Sequence, residues 1–302
     1  MNFKEEALIV HLSGGLGNQL FQISTGISLG QITKKSLKIN INLYKNPLIR
    51  GRINSNYRKK RKFEANNFKS VASISLNRSW TPINGSFERL VSRLGDSQRK
   101  LLGIATEENF SEGGWKNAAE IRRLVGHFTS PKFFRDIDVK DIFSELNHEL
   151  SDWSINAINR IKQGNLPCIH VRLGDYLYQD NIVVPKEKYY RDGIDIINSL
   201  LDPKHKALLF SDQPELISTY FPKLARDTEI VRPPSNLSPA EILYVMSKCS
   251  GFVCSNSTFS WWASRLSNVK PEFVVAPRVY QTYTQQLDSL NDFWPEQAKL
   301  ID

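Results

Sequence analysis

Strands and helices alternate along this 302-residue chain, and the alternation predicts an α/β protein built on parallel, doubly wound sheets. Two observations carry that prediction. The N-terminal stretch runs from an apolar strand through a glycine-rich turn into a helix and a second strand. The second half then repeats strand–helix pairs whose strands end in polar residues. The length suits two domains, drawn here as 1–164 and 165–302, with the last residues allowed to return to the first domain.

Ala7–Leu12 is the first predicted strand, followed by the turn Ser13-Gly-Gly-Leu-Gly-Asn-Gln19. Leu16, Leu20, Ile23 and Ile27 then mark one face of a helix. Leu37, Ile39, Ile41 and Leu43 alternate with polar residues, as in a half-buried strand. The turn invites comparison with dinucleotide-binding loops. Gly15 and Gly17 supply two of the glycines, but Leu20 stands in the third place, and Lys38-Ile-Asn40-Ile-Asn42 offers no acid for ribose hydroxyls. Both features argue against NAD. A turn presenting backbone N–H groups and the Asn18 and Gln19 amides to a sugar nucleotide fits better.

From about 44 to 165 the chain carries aromatic pieces with glycine breaks, such as Trp80–Gly85 and Gly113-Gly-Trp115, and is expected to complete the first domain on the acceptor side. Asp136-Ile-Asp138 has the D-x-D spacing that holds a metal in some sugar-nucleotide enzymes. It precedes a helical pattern over Val139–Leu150, so carboxylates at a helix start are the plainer reading.

In the second half Leu166–Tyr176 is the central stretch: Ile169 and Val171 alternate with His170 and Arg172, and Gly174 breaks the pattern before Asp175. A planar guanidinium at a strand end can grip two phosphate oxygens at once; an Arg172–Asp175 salt bridge in an ordinary exit turn is the competing reading. Helices are predicted over Pro185–Leu201, Pro214–Phe221, from Ser238 with Glu241 at capping-box spacing, and through Leu266. Strands are predicted over Ala207–Phe210, Glu229–Val231, Gly251–Cys254 and Phe273–Ala276. Three strand ends carry groups suited to a nucleotide: His170, Arg172 and Asp175; Ser211 and Asp212; Ser255, Asn256, Ser257 and Thr258. The hydroxyl clusters serve equally as helix caps.

The composition narrows the classes. The longest apolar runs are far too short for a membrane span, and Met1–Glu6 lacks the apolar core of a signal peptide, so a cytosolic protein is expected. Cys168, Cys249 and Cys254 form no CxxC pair and read as buried free thiols; His11, His127, His148, His170 and His205 show no metal-ligand spacing. No structural metal is expected. Much of the net charge of +9 lies in Arg50, Arg52, Arg58, Lys59, Lys60, Arg61 and Lys62. No nucleic-acid-binding module accompanies them, which leaves a solvated loop or a face toward anionic lipid.

Gly14–Gln22, His170-Val-Arg-Leu-Gly-Asp-Tyr176, Phe210-Ser-Asp212 and Ser255–Ala263 together resemble the ordered motifs of glycosyltransferase family 11, chiefly α-1,2-fucosyltransferases that use GDP-fucose. The resemblance implies a GT-B-like fold, two Rossmann-like domains facing a central cleft, with inverting, metal-independent transfer and no cofactor beyond the donor substrate. It implies that Arg172 grips the GDP diphosphate, that Asn18 faces the donor from the other domain, that Asp212 contacts the nucleoside, and that Ser257 and Thr258 meet the phosphates. His170 and Asp175 join Arg172 as candidate catalytic residues; Asp175 and His11 are the candidate bases, each with a structural role to set against it. Gly15, Gly17, Asn18, Gln19, Ser211 and Asn256 join the donor-binding set. Many family members carry a second arginine at Leu173 and a second acid at Gln213, so the donor sugar is less firmly implied than the nucleotide. A GDP-colitose transferase and a non-catalytic glycan- or nucleotide-binding protein are the alternatives. The expected partners are a nucleotide-sugar donor and an oligosaccharide or lipid-linked acceptor, with no nucleic acid, at the cytoplasmic side of an inner membrane.

Overall fold

The computed structural model describes residues 6–45, 61–77, 86–111, 113–179, 182–201, 206–278 and 293–302. The basic residues at 50–60, Trp80–Gly85 and His205 lie outside the described residues.

The chain packs as two compact units, Met1–Asn147 and His148–Asp302. In the first unit, strands β1 (Ala7–His11), β2 (Ser36–Asn40), β3 (Ser75–Leu76), β4 (Ile104–Ala105) and β7 (Arg123–Leu124) form a parallel sheet in the order β3-β2-β1-β7-β4. β5 (Phe110–Ser111) and β6 (Gly114–Trp115) make a separate antiparallel hairpin. Helix α1 (Leu16–Thr33) follows the glycine turn. It is buried well beyond the predicted stripe, with Gln19, Gln22, Ser24 and Thr25 inside as well as Leu20 and Ile23.

Two sequence expectations for this unit are corrected. The alternation through Leu43 overruns the strand, because Asn40 Oδ1 accepts the Asn42 N–H at 3.0 Å and turns the chain into a short helix, Asn42–Lys45. The helix expected over Val139–Leu150 stops at Phe143. Beyond it Glu145 and Asn147 give their backbone groups to Lys69 and Asn67, at 3.0 and 2.8 Å. Asp138 caps that short helix, accepting the Lys140 N–H at 2.9 Å, which is the helix-start reading of the D-x-D.

The second unit is a six-stranded parallel sheet of β8 (Cys168–Val171), β9 (Leu208–Ser211), β10 (Glu229–Ile230), β11 (Phe252–Val253), β12 (Val274–Pro277) and β13 (Lys299–Ile301). Its spatial order is β10-β9-β8-β11-β12-β13, which is 3-2-1-4-5-6 when strands are counted by appearance. Helices α2 (Asp152–Gly164), α3 (Glu187–Leu201), α4 (Pro239–Met246) and α5 (Thr258–Leu266) connect and cover it. Ile169, Val171, Leu209, Val253 and Val275 are fully buried with Tyr190 and Ile197 of α3. Each such side chain contributes about 1.5–3 kcal/mol of burial.

The units divide 17 residues before the sequence-drawn boundary at 164, so α2 belongs to the second unit. Glu241 explains this: its Oε1 accepts both the N–H and the hydroxyl of Ser151, the α2 cap, at 2.8 and 2.7 Å. Glu241 was expected to close a capping box on its own helix. Ser238 does accept the Glu241 N–H at 3.1 Å, but the carboxylate is spent on α2. The last residues, allowed to return to the first domain, instead form β13 at the edge of the second sheet. All three cysteines are buried free thiols. No helix among the described residues is long and apolar enough to cross a membrane.

Candidate active site

In a 3-2-1-4-5-6 sheet the order reverses between the first and fourth strands, here β8 and β11, and ligands settle beyond the carboxyl ends at that switch point. The chain delivers His170–Asp175 from β8 and Ser255–Thr258 from β11 to this place, with Ser211 and Asp212 from β9 beside them. The three sequence-predicted clusters of this unit come together.

Arg172 is the centre. Its Nη2 donates to Asp175 Oδ1 at 2.5 Å, and its Nη1 lies 3.0 Å from Asp212 Oδ2, an ion pair whose angles fall short of a hydrogen bond. Asp212 Oδ1 also accepts the Leu173 N–H at 3.0 Å, fixing the start of the exit turn. The Tyr176 ring lies under the guanidinium, 5.4 Å from its carbon. Burial works against the charge, the two carboxylates outweigh it, and the pKa of Arg172 stands above the ordinary arginine value. This is a permanently charged, oriented fork with 17% of its side chain exposed.

His170 points into the protein. Its Nδ1 is 2.8 Å from Ser255 Oγ, and its ring stacks on Phe259. Burial, aided by the charge of Arg172, lowers its pKa to about 3, so the ring is neutral at ordinary pH. A proton held that weakly makes His170 a poor base and a good strut. His11 has the same character: burial, then the charge of Arg123, lowers its pKa to about 3.

Further bonds tie the exit of β11 to the turn after β8 and to the start of α3. The Tyr189 hydroxyl donates to the Cys254 carbonyl at 2.5 Å, the Tyr176 hydroxyl to the Asn256 carbonyl at 3.1 Å, and Asn256 Nδ2 to the Val183 carbonyl at 2.6 Å. Ser257 Oγ accepts the Phe259 N–H at 3.3 Å and caps α5, and Ser211 Oγ accepts the Gln213 N–H at 3.1 Å. The capping reading thus holds for Ser257, whereas Ser211 closes a turn before the one-turn helix Pro214–Leu216, whose N-cap position is Gln213. Tyr176 and Tyr189 escaped the sequence reading. The available signal was polar: a tyrosine on a buried helix face must find a partner for its hydroxyl.

The glycine turn belongs to the first unit and is described by itself. Gly14 has φ +73°, a left-handed conformation that favours glycine, and a Cβ there would meet Asn18 Nδ2 at 2.6 Å. A Cβ on Gly15 would meet the Arg61 guanidinium at 2.8 Å, so one charge of the basic segment lies against the turn. Gly15 precedes the first turn of α1 without a side-chain cap, and Gly17 is buried within that turn. Gln19 corrects the reading of an amide offered to a ligand. It is fully buried, its Oε1 accepts the Glu64 and Ala65 N–H groups at 2.9 Å, and its Nε2 donates to the Lys62 carbonyl at 2.7 Å. Gln22, unremarked in the sequence, braces Ser13 from both amide atoms at 3.0 Å.

The family model described as Glycosyl transferase family 11 matches residues 125–292, more than half of the chain. An alpha-1,2-colitosyltransferase of Escherichia coli is 26% identical over 97% of this chain and 98% of its own length. The O-antigen biosynthesis glycosyltransferase WbnK of Escherichia coli is 22% identical over 94% of this chain and 98% of its own. Among solved structures, the fucosyltransferase NodZ from Bradyrhizobium is 16% identical with a TM-score of 0.47, covering 87% of this chain and 94% of that one. This chain belongs to glycosyltransferase family 11.

Proposed function

We propose that the protein transfers L-fucose from GDP-fucose to a hydroxyl of an oligosaccharide, the 2-OH of a galactoside, in the synthesis of an O-antigen or similar surface glycan. The observation that carries this reading is Arg172, charged and oriented at the switch point by two carboxylates. The acceptor is free or lipid-linked.

The reaction is a direct displacement. The acceptor oxygen bonds to the anomeric carbon as the carbon–oxygen bond to the diphosphate breaks, and GDP leaves with the electron pair. Positive charge gathers on the sugar ring and negative charge on the departing diphosphate. Arg172 stabilises the latter, together with the α5 N-terminus at Ser257 and Thr258. The acceptor hydroxyl gives up its proton to water as the new bond closes. Asp212 holds Arg172, and His170 holds Ser255 in the same wall of the site.

Arg172→Ala tests this. Transfer is expected to fall by far more than tenfold, that is, to lose well over about 1.4 kcal/mol of transition-state stabilisation. Survival within tenfold overturns the role. A second reading, transfer of colitose from GDP-colitose, is favoured by the name of the 26%-identical relative. An assay panel of GDP- and UDP-sugars separates the two.

A further inference from the structure

We propose that Asp175 competes with the donor diphosphate for the guanidinium of Arg172, and so sets how tightly GDP is held and how fast it leaves. The inference rests on the reading of Arg172 as the diphosphate ligand. It starts from charge. One guanidinium is shared by two carboxylates, at 2.5 and 3.0 Å, leaving a net negative charge where a dianion must bind. Leu173, the next residue in the chain, is fully buried in the core and adds no charge. A diphosphate and a carboxylate ask the same thing of an arginine, two oxygens along its planar edge. One of the two acids has to yield.

The geometry points to Asp175. Asp212 is only 10% exposed and carries a second task, accepting the Leu173 N–H at 3.0 Å. Moving it would strand a backbone donor at the start of the turn. Asp175 is 24% exposed and sits on the one-turn helix Gly174–Tyr178, three residues after Arg172. It has another partner at hand, Gln179 Nε2, 3.4 Å from its Oδ2. As GDP departs, the same carboxylate recaptures the guanidinium and opposes rebinding.

Calorimetric titration with GDP, with stopped-flow measurement of its release, tests the idea on wild type, Asp175→Asn and Asp212→Asn. Asparagine keeps the shape and an acceptor for Arg172 but removes the charge. Asp175→Asn is expected to bind GDP at least fivefold tighter and release it correspondingly slower, a larger gain than Asp212→Asn gives. Asp175→Ser provides the same comparison should the asparagine variant fold poorly. Wild type that binds GDP, beside Asp175 variants that bind it equally or less tightly, overturns the competition and leaves Arg172 its role. Wild type that fails to bind GDP removes both.

Discussion

His170 and Arg172 stand two residues apart, and burial acts on them with opposite outcomes. Arg172 has carboxylates to offset the loss of water and stays charged. His170 faces a serine hydroxyl and loses its proton. This has a consequence for stability. In an unfolded chain His11 and His170 take up protons near pH 6.5, whereas in the fold they do so only near pH 3. Below pH 6.5 the unfolded state therefore binds more protons, and the stability present above that pH is lost progressively as pH falls toward 3. At pH 5 the loss is about 2 kcal/mol for each ring. The melting temperature is expected to drop between pH 7 and pH 5, and His170→Gln is expected to remove about half of that slope. A melting temperature flat across this range would show that the rings are not held neutral.

At the scale of elements, the legible parts were those whose pattern and packing agree. The spacing of Tyr190, Ile194, Ile197 and Leu201 marks one helix face over Pro185–Leu201; the first three are buried on α3 and Leu201 is half-buried at its end. The strands at 209, 253 and 275 lie within one residue of the predicted ends, because unbroken apolar runs between turn residues suit a sheet covered on both faces, and alternation up to Gly174 locates the strand at 169. The polar clusters at three strand ends were legible for the same reason, since knowing where a strand stops locates its exit residues. β3, β4 and β7 were missed. Each is two residues long, too short for any periodicity, and is held by its neighbours in the sheet. The Gln19 amide was misjudged because its partners, the backbone of Lys62, Glu64 and Ala65, lie more than 40 residues away. Close helix–sheet contact makes a test at this scale. A Cβ on Gly193 of α3 would come within 2.7 Å of Val253 and 3.2 Å of Val275. Gly193→Ala is expected to destabilise the fold by about 1–3 kcal/mol in denaturant titration, as overpacking does. An unchanged midpoint would mean that α3 is free to lift from the sheet.

For the whole molecule, the net charge of +9 and the basic run ending in Arg61 and Lys62 bear on the acceptor. If the acceptor is lipid-linked, basic charge favours residence at an anionic surface, each lysine or arginine near it contributing about 1 kcal/mol. The protein is expected to sediment with vesicles rich in phosphatidylglycerol, not with neutral ones, and to be released by salt. Equal partitioning to both kinds of vesicle would sever charge from location.

The bond between His170 and Ser255 joins residues 85 positions apart, with β9 and β10 threaded between them. The two sides of this wall therefore come from distant parts of the chain, and neither is complete without the other. A chain ending before residue 252 would carry Arg172 without β11 beside it, and if GDP bridges the two as proposed, its binding adds to the stability of the folded state by mass action.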